Sequence, residues 1–209
     1  MLFIVGCSDE KELKESNQNN VTILIKKEIE KLNLLETNTT VDKNISIKKE
    51  IIVEKKDLFL LNDINDNNHS IKFIDKNINI SSIDNSLILL SFFSTWCQPC
   101  IGEIPYLIDI QNSYKKELFI AGIIVNDTIN DSNLSQFIDN SNINYYVSNY
   151  KNNNKFIEKL IKNLNIKSKH IVPLLVLFKD GEYYTHYEGA VPIEMLEYDI
   201  KKAIKKGKE

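Results

Sequence analysis

The sequence contains no arginine. All 26 of its basic residues are lysines, set against 29 acidic residues, and the formal net charge is −3. This balance lacks the basic footprint of a nucleic-acid-binding protein, so we expect no nucleic-acid partner. No stretch approaches the ~20 consecutive apolar residues that a membrane-spanning helix requires. Hydrophobic residues make up 43% of the chain, which is typical of a folded globular domain rather than a disordered chain.

Potential metal ligands are equally scarce. The three cysteines and three histidines are Cys7, Cys97, Cys100, His69, His170 and His186. A structural zinc site needs four ligands, usually from two C-x-x-C pairs or from one such pair and two closely spaced histidines. Only Cys97 and Cys100 have this spacing, and the histidines are scattered. We therefore predict no metal site.

The most informative stretch is residues 87–105, LILLSFFSTWCQPCIGEIP. Its apolar start, Leu87–Phe93, has the length of a buried strand. Ser94 and Thr95 follow as a hydroxyl pair suited to capping a helix, and the next segment is predicted to be helical as far as about Tyr114. A C-x-x-C pair therefore lies where a buried strand ends and a helix begins.

That position favours redox chemistry. The first helical turn has unpaired N–H groups and the positive end of the helix dipole, so it stabilises a thiolate and lowers its pKa. The i, i+3 spacing places Cys97 and Cys100 on one helix face, close enough to form a disulfide. Pro99 is tolerated because the first turn needs no N–H from it.

The motif from Trp96 to Cys100, followed by Glu103 and Pro105, resembles the W-C-x-P-C-x-x-E-x-P motif of the TlpA/ResA branch of thioredoxin-fold proteins. These are extracytoplasmic thiol-disulfide oxidoreductases. The resemblance covers about residues 58–206 and implies an α/β thioredoxin-like fold. Such a fold has a central mixed sheet flanked by helices, here with an N-terminal hairpin and an extension. No cofactor is implied.

The rest of the chain fits this fold. Alternating strands and helices imply crossover connections and parallel strands. Asp180-Gly181 is a hairpin turn signal, and a polar turn near the start of the domain contains His69, which we expect to be exposed. The predicted strands are 58–61, 71–74, 118–125, 145–148, 174–179 and 182–187, and the predicted later helices are 134–140, 152–164 and 192–204.

The resemblance and the spacing together assign catalytic roles. Cys97 is first in the pair and nearest the helix terminus, so we expect it to be the nucleophile, with Cys100 resolving the mixed disulfide. Thioredoxin places a buried acid where this chain has Ser91. The family alternative is Glu103, one helical turn beyond Cys100, as the base that deprotonates Cys100; the other interpretation is a solvent-facing glutamate.

Three residues are predicted to bind the partner protein. Pro173 begins an apolar strand, and the matching proline of thioredoxin folds is cis and faces the C-x-x-C pair. Val172 would then offer its backbone groups to a substrate strand. Trp96 is expected to shield the disulfide and form part of the docking surface, the alternative being core packing.

The N-terminus suggests export. Residues 4–7, Ile-Val-Gly-Cys, resemble a lipobox, the cleavage site whose cysteine is lipidated in bacterial lipoproteins, although the apolar run is short and lacks a basic start. An exported protein should carry no free third thiol, and lipidation of Cys7 would account for it. We predict a lipoprotein-type signal remnant at 1–7, a tether and N-terminal extension at 8–56, and a thioredoxin-like domain at 57–206.

The predicted function is reduction of disulfides in cysteine-containing partner proteins, apocytochrome c being the partner that the resemblance suggests. The protein would lie on the periplasmic side of a membrane, attached through lipid on Cys7, and would receive electrons from an upstream thiol-disulfide donor. A disulfide-donating oxidase or isomerase of the same fold stays open. So does a copper-binding chaperone using Cys97, Cys100 and a histidine.

Overall fold

A computed structural model describes residues 57–149, 151–167 and 172–205. All of them belong to the unit Glu54–Glu209. The predicted signal remnant at 1–7, with Cys7, and the extension at 8–56 lie outside the described residues, and so does His170. These assignments stay predictions.

The described residues form eight strands and four helices. The strands are β1 (Leu58–Asn62), β2 (Asn68–Ile74), β3 (Asn77–Ile80), β4 (Leu87–Phe93), β5 (Leu118–Ile124), β6 (Tyr146–Ser148), β7 (Leu174–Lys179) and β8 (Glu182–Glu188). The helices are α1 (Gln98–Tyr114), α2 (Asp131–Asn140), α3 (Asn153–Leu164) and α4 (Ile193–Lys205). Each predicted strand and helix is present, with ends shifted by a few residues.

The central strand is β4. It pairs in parallel with β5 on one side and antiparallel with β7 on the other, in a five-stranded sheet of order β6-β5-β4-β7-β8. All seven of its residues are buried. A strand that is covered on both faces cannot alternate apolar with polar residues, which explains the continuous apolar run in the sequence.

Side chains of β4 divide between two cores. Ile88, Leu90 and Phe92 contribute to a cluster that also contains residues of α3 and the first three strands. Leu87 and Leu89 contribute to a cluster with residues of α1 and α4. The sheet therefore lies between two layers, and the predicted thioredoxin-like fold, with a mixed sheet flanked by helices, is confirmed.

The first three strands form a separate antiparallel sheet of order β1-β2-β3. The predicted hairpin was thus incomplete, because β3 is only four residues long and its asparagines hid its alternation of buried and exposed residues. The placement of His69 in an exposed turn was wrong. His69 lies in β2, where its ring contacts Phe119 and Tyr146 edge-on at centroid distances of 5.5 and 4.9 Å.

Two backbone contacts tie this small sheet to the main one. The Ile78 N–H donates to the Gly181 carbonyl at 2.8 Å, and the Asn149 N–H donates to the Asn62 carbonyl at 3.2 Å. The first contact lies at the β7–β8 hairpin, the second just after β6. No helix among the described residues combines the length and apolar character needed to cross a membrane.

Replacing Gly181 with alanine should lower the free energy of unfolding. Gly181 has a φ of +81°, and an added Cβ would lie 2.5 Å from the Ile78 carbonyl oxygen. The left-handed conformation alone costs a non-glycine residue roughly 1–2 kcal/mol, and the backbone contact adds to this. Urea denaturation measures the loss of stability as a lower midpoint of unfolding, with the same m-value in the variant and the wild type.

Gly102→Ala is the matched control. Gly102 lies within α1, and no atom lies within 4 Å of the position that its Cβ would take. Alanine in a helix interior is favoured over glycine by about 0.8–1.0 kcal/mol, so this variant should be at least as stable as the wild type. Equal stability of both variants would contradict the role assigned to Gly181.

Candidate redox site

Cys97 and Cys100 are joined by a disulfide with a Cα–Cα distance of 5.3 Å. Cys97 is itself the N-cap of α1, in extended conformation, and its Sγ accepts a hydrogen bond from the Cys100 N–H at 3.3 Å. Both cysteines are largely buried, with 6% of Cys97 and 3% of Cys100 exposed. A thiolate at Cys97 would sit at the positive end of the helix, where an N–H group already points at its sulfur.

The prediction that Ser94 and Thr95 cap α1 was wrong. Their side chains bond instead to the loop after β5, residues 125–130. The Ser94 hydroxyl donates to the Val125 carbonyl at 2.5 Å, and the Thr95 N–H and hydroxyl donate to Asp127 Oδ2 at 2.7 and 2.8 Å. Residues 94–96 are named here the redox turn. Hydrogen bonds from Ser94 and Thr95 attach this turn to the loop after β5.

Trp96 completes this set of contacts. Its indole N–H donates to the Asn126 carbonyl at 3.1 Å, while 61% of the residue is exposed. This exposure excludes the core-packing alternative. A large aromatic surface next to Cys97 is therefore both solvent-facing and fixed at one end, as a docking surface requires.

Glu103 is buried, with 8% of the residue exposed, so the interpretation as a solvent-facing glutamate was wrong. Burial raises its pKa, and the hydrogen bond that its Oε1 accepts from the Val191 N–H at 3.0 Å offsets part of that rise. The pKa of Tyr145 is raised mainly by burial of its hydroxyl group, and the charge of Glu103 adds to this rise. A carboxyl group with a raised pKa can accept a proton closer to neutral pH.

The Val172–Pro173 peptide bond is cis, as expected. Val172 contacts the cluster that contains both redox cysteines. The Pro173 carbonyl accepts from the Gly189 N–H at 2.9 Å, two residues before the Val191 N–H that binds Glu103. One short segment, residues 189–191, thus contacts both Pro173 and the buried carboxyl group of Glu103.

The two described histidines, His69 and His186, contact groups other than the redox cysteines. His186 Nδ1 is 2.6 Å from the Tyr183 hydroxyl, and its Nε2 is 3.3 Å from Glu188 Oε1. Within residues 57–149, 151–167 and 172–205, no three histidine, cysteine, aspartate or glutamate side chains are grouped so that they could hold a metal ion.

The structure therefore brings Trp96, Cys97, Cys100 and Val172 to one end of the sheet, with Glu103 one helical turn further along α1. The sequence did not predict the contact between Asp127 and Thr95, and Asp127 was assigned only to a polar loop. The contact could have been predicted because the parallel strands β4 and β5 end at the same edge of the sheet, which brings the residues just after them together.

Residues 85–183 match the model of the thioredoxin-like family. The chain is 26% identical over 121 residues to the thiol-disulfide oxidoreductase ResA of Oceanobacillus iheyensis, an alignment covering 57% of this chain and 58% of the relative. It is 27% identical over 131 residues to ResA of Bacillus thuringiensis subsp. konkukian, covering 61% and 69%. The chain thus spans under two thirds of the Oceanobacillus protein.

Among solved structures, a thiol:disulfide interchange protein of Chlorobium tepidum superposes with a TM-score of 0.53 at 20% identity. The superposition covers 70% of this chain and 92% of that protein. This likeness supports the fold, and the relatives confirm the resemblance predicted from the motif around Cys97.

The buried carboxyl group of Glu103 should make folding stability depend on pH. Because its folded pKa is raised above the ordinary value of 4.5, the folded state holds this proton longer than the unfolded state does. The contribution of Glu103 to stability is therefore fully present below pH 4.5 and lost as the pH rises through the folded pKa. Glu103→Gln, which can still accept from the Val191 N–H, should be more stable than the wild type at pH 7.

This gain should shrink towards zero below pH 4.5. Urea denaturation across pH 3–8 measures it, with Glu117→Gln as the control because Glu117 carries the same charge outside α1. A stability difference between Glu103→Gln and the wild type that is constant with pH would show that the carboxyl group is not perturbed in the folded protein.

Proposed function

Because the chain carries a thioredoxin-like domain of the thiol-disulfide oxidoreductase type, we propose that it reduces disulfides of partner proteins through the Cys97–Cys100 couple. The observation that carries the proposal is the position of Cys97, disulfide-bonded to Cys100 at the N-cap of α1. A thiolate there is stabilised without any further group. The disulfide in the structure corresponds to the product of such a reaction.

The first step is attack by the Cys97 thiolate on one sulfur of the partner disulfide. A mixed disulfide forms between Cys97 and the partner, and the other partner sulfur leaves as a thiolate. Cys97 is the better candidate because it is the N-cap of α1, whereas Cys100 lies further along, within the first turn of the helix.

The second step releases the partner. Cys100 loses its proton and attacks Cys97, forming the intramolecular disulfide and leaving the partner as a dithiol. Glu103 is the proposed base, since its burial and raised pKa suit proton acceptance. The balance is two electrons and two protons passed from the protein dithiol to the partner disulfide.

Partner binding is proposed to use Trp96 together with Val172 and Pro173. The exposed indole supplies apolar contact area beside Cys97, and Val172, which precedes the cis peptide bond, packs against the cysteine cluster. An extended partner segment could pair with the Val172 backbone by β-augmentation. This arrangement would hold the partner cysteine over Cys97.

The narrower part of the proposal concerns location and substrate. We place the protein outside the cytoplasm, on the periplasmic side, attached to a membrane through lipid on Cys7. An upstream thiol-disulfide donor would return it to the dithiol form. Apocytochrome c is the proposed substrate, as the family resemblance suggests.

Single cysteine variants test the mechanism. Cys97→Ala should abolish disulfide exchange, because the attacking thiolate is removed. Cys100→Ala should trap a mixed disulfide between Cys97 and the partner, visible on a non-reducing gel. Cys7→Ala is the control and should retain exchange with a soluble disulfide substrate. Full exchange activity in either of the first two variants would exclude the proposed roles.

The reduction potential of the Cys97–Cys100 couple decides the direction. Equilibrium titration against glutathione should give a value near that of thioredoxin, about −270 mV, as expected of a dedicated reductant that depends on an upstream donor. A value near that of the strong periplasmic oxidants, about −120 mV, would mean that the protein donates disulfides. In that case the reductive proposal would be abandoned for the oxidase alternative.

A further inference from the structure

Asp127 lies in the loop after β5. Its two carboxylate oxygens accept hydrogen bonds from two different parts of the chain. Oδ2 accepts from the N–H and hydroxyl of Thr95 at 2.7 and 2.8 Å. Oδ1 accepts from the N–H groups of Thr128 and Ile129 at 2.7 and 3.0 Å. The carboxylate therefore bridges its own loop to the redox turn.

These contacts favour the charged form. Burial alone would raise the pKa of Asp127, but the hydrogen bonds from Thr95, Ile129 and Thr128 outweigh it and hold the pKa below the ordinary value of 3.8. Asp127 is thus ionised at neutral pH. Hydrogen bonds to an ionised acceptor are shorter and about twice as strong as neutral ones.

The contact reaches the nucleophile through a short path. Thr95 precedes Cys97 by two residues, and the Cys97 N–H donates to the Ser94 carbonyl at 3.1 Å. The turn that delivers Cys97 to the start of α1 is consequently fixed on both sides of Thr95. Asp127 thus places a full negative charge on a side chain that is hydrogen-bonded to the residue two positions before Cys97.

We propose that Asp127 is a positioning residue for the redox couple, which it shifts towards the disulfide. The contact through Thr95 holds the redox turn in the geometry of the disulfide, and the fixed negative charge disfavours a thiolate at Cys97. Both effects act in the same direction: they make the dithiol the less stable form and hence the better electron donor. The inference rests on the proposed function and deepens it by naming what sets its direction.

The equilibrium that measures this shift is exchange with glutathione. Two glutathione molecules and the Cys97–Cys100 disulfide give the protein dithiol and one glutathione disulfide. Two electrons and two protons pass from glutathione to the protein, one sulfur–sulfur bond breaks and one forms. Anything that stabilises the protein disulfide makes this reaction less favourable.

Asp127→Asn removes the charge and one of the two acceptor oxygens. Its equilibrium constant for reduction by glutathione at pH 7 should rise about tenfold over the wild type, which corresponds to about 30 mV for a two-electron couple. Thr95→Val, which keeps the charge and loses only the hydroxyl donor, should shift the constant in the same direction by less. Thr95→Ser keeps the hydroxyl donor, so its equilibrium constant should equal that of the wild type.

Asp131→Asn is the matched control. Asp131 lies four residues further on, in the first turn of α2, and its side chain contacts Asn149 rather than the redox turn. This variant loses the same charge and should leave the equilibrium constant unchanged. If Asp131→Asn shifts the constant as far as Asp127→Asn does, general charge explains the effect and the proposal falls.

Two other results would also overturn it. One is an unchanged constant in Asp127→Asn accompanied by lower stability, which would make the contact purely structural. The other is a shift towards the disulfide. These outcomes are separate from failure of the proposed function: a wild type that exchanges with glutathione but reduces no protein disulfide would end that proposal, and the effect of Asp127 could still be measured.

Discussion

Burial of β4 on both faces and along both edges is the constraint on which the rest of the structure depends. Each large apolar side chain removed from water contributes about 1.5–3 kcal/mol, and this strand contributes seven buried residues in succession. Its C-terminal end is therefore fixed, and the chain leaves it at Phe93 in a defined direction. Cys97 follows four residues later, so its position depends on a strand whose seven residues are all buried.

The site combines this rigid support with polar groups that are each held by a backbone contact. Glu103 is held by Val191, Asp127 by its own loop, and Trp96 by a carbonyl of that loop. These three side chains are consequently preorganised rather than free to rearrange. In a reaction whose chemistry resides in two sulfur atoms, such positioning is the main contribution that the protein can make.

Much of this could be predicted from local sequence because the signals were strong. The apolar run of β4, the C-x-x-C spacing, Asp180-Gly181 and Pro173 each constrain the backbone by themselves. The failures involve residues whose role depends on distant partners. Ser94 and Thr95 have the chemistry of helix caps, yet the cysteine itself caps α1, and their hydroxyl groups bond residues some thirty positions away. His69 appeared exposed because the two rings that cover it come from other strands.

The small β1–β2–β3 sheet has a consequence for self-association. Its contacts at Gly181 and Asn149 lie beside β8 and β6, the two outermost strands of the main sheet. Uncovered strand edges invite pairing with other chains, which leads to aggregation. By contacting the main sheet next to both outer strands, the small sheet restricts access of another chain to those edges.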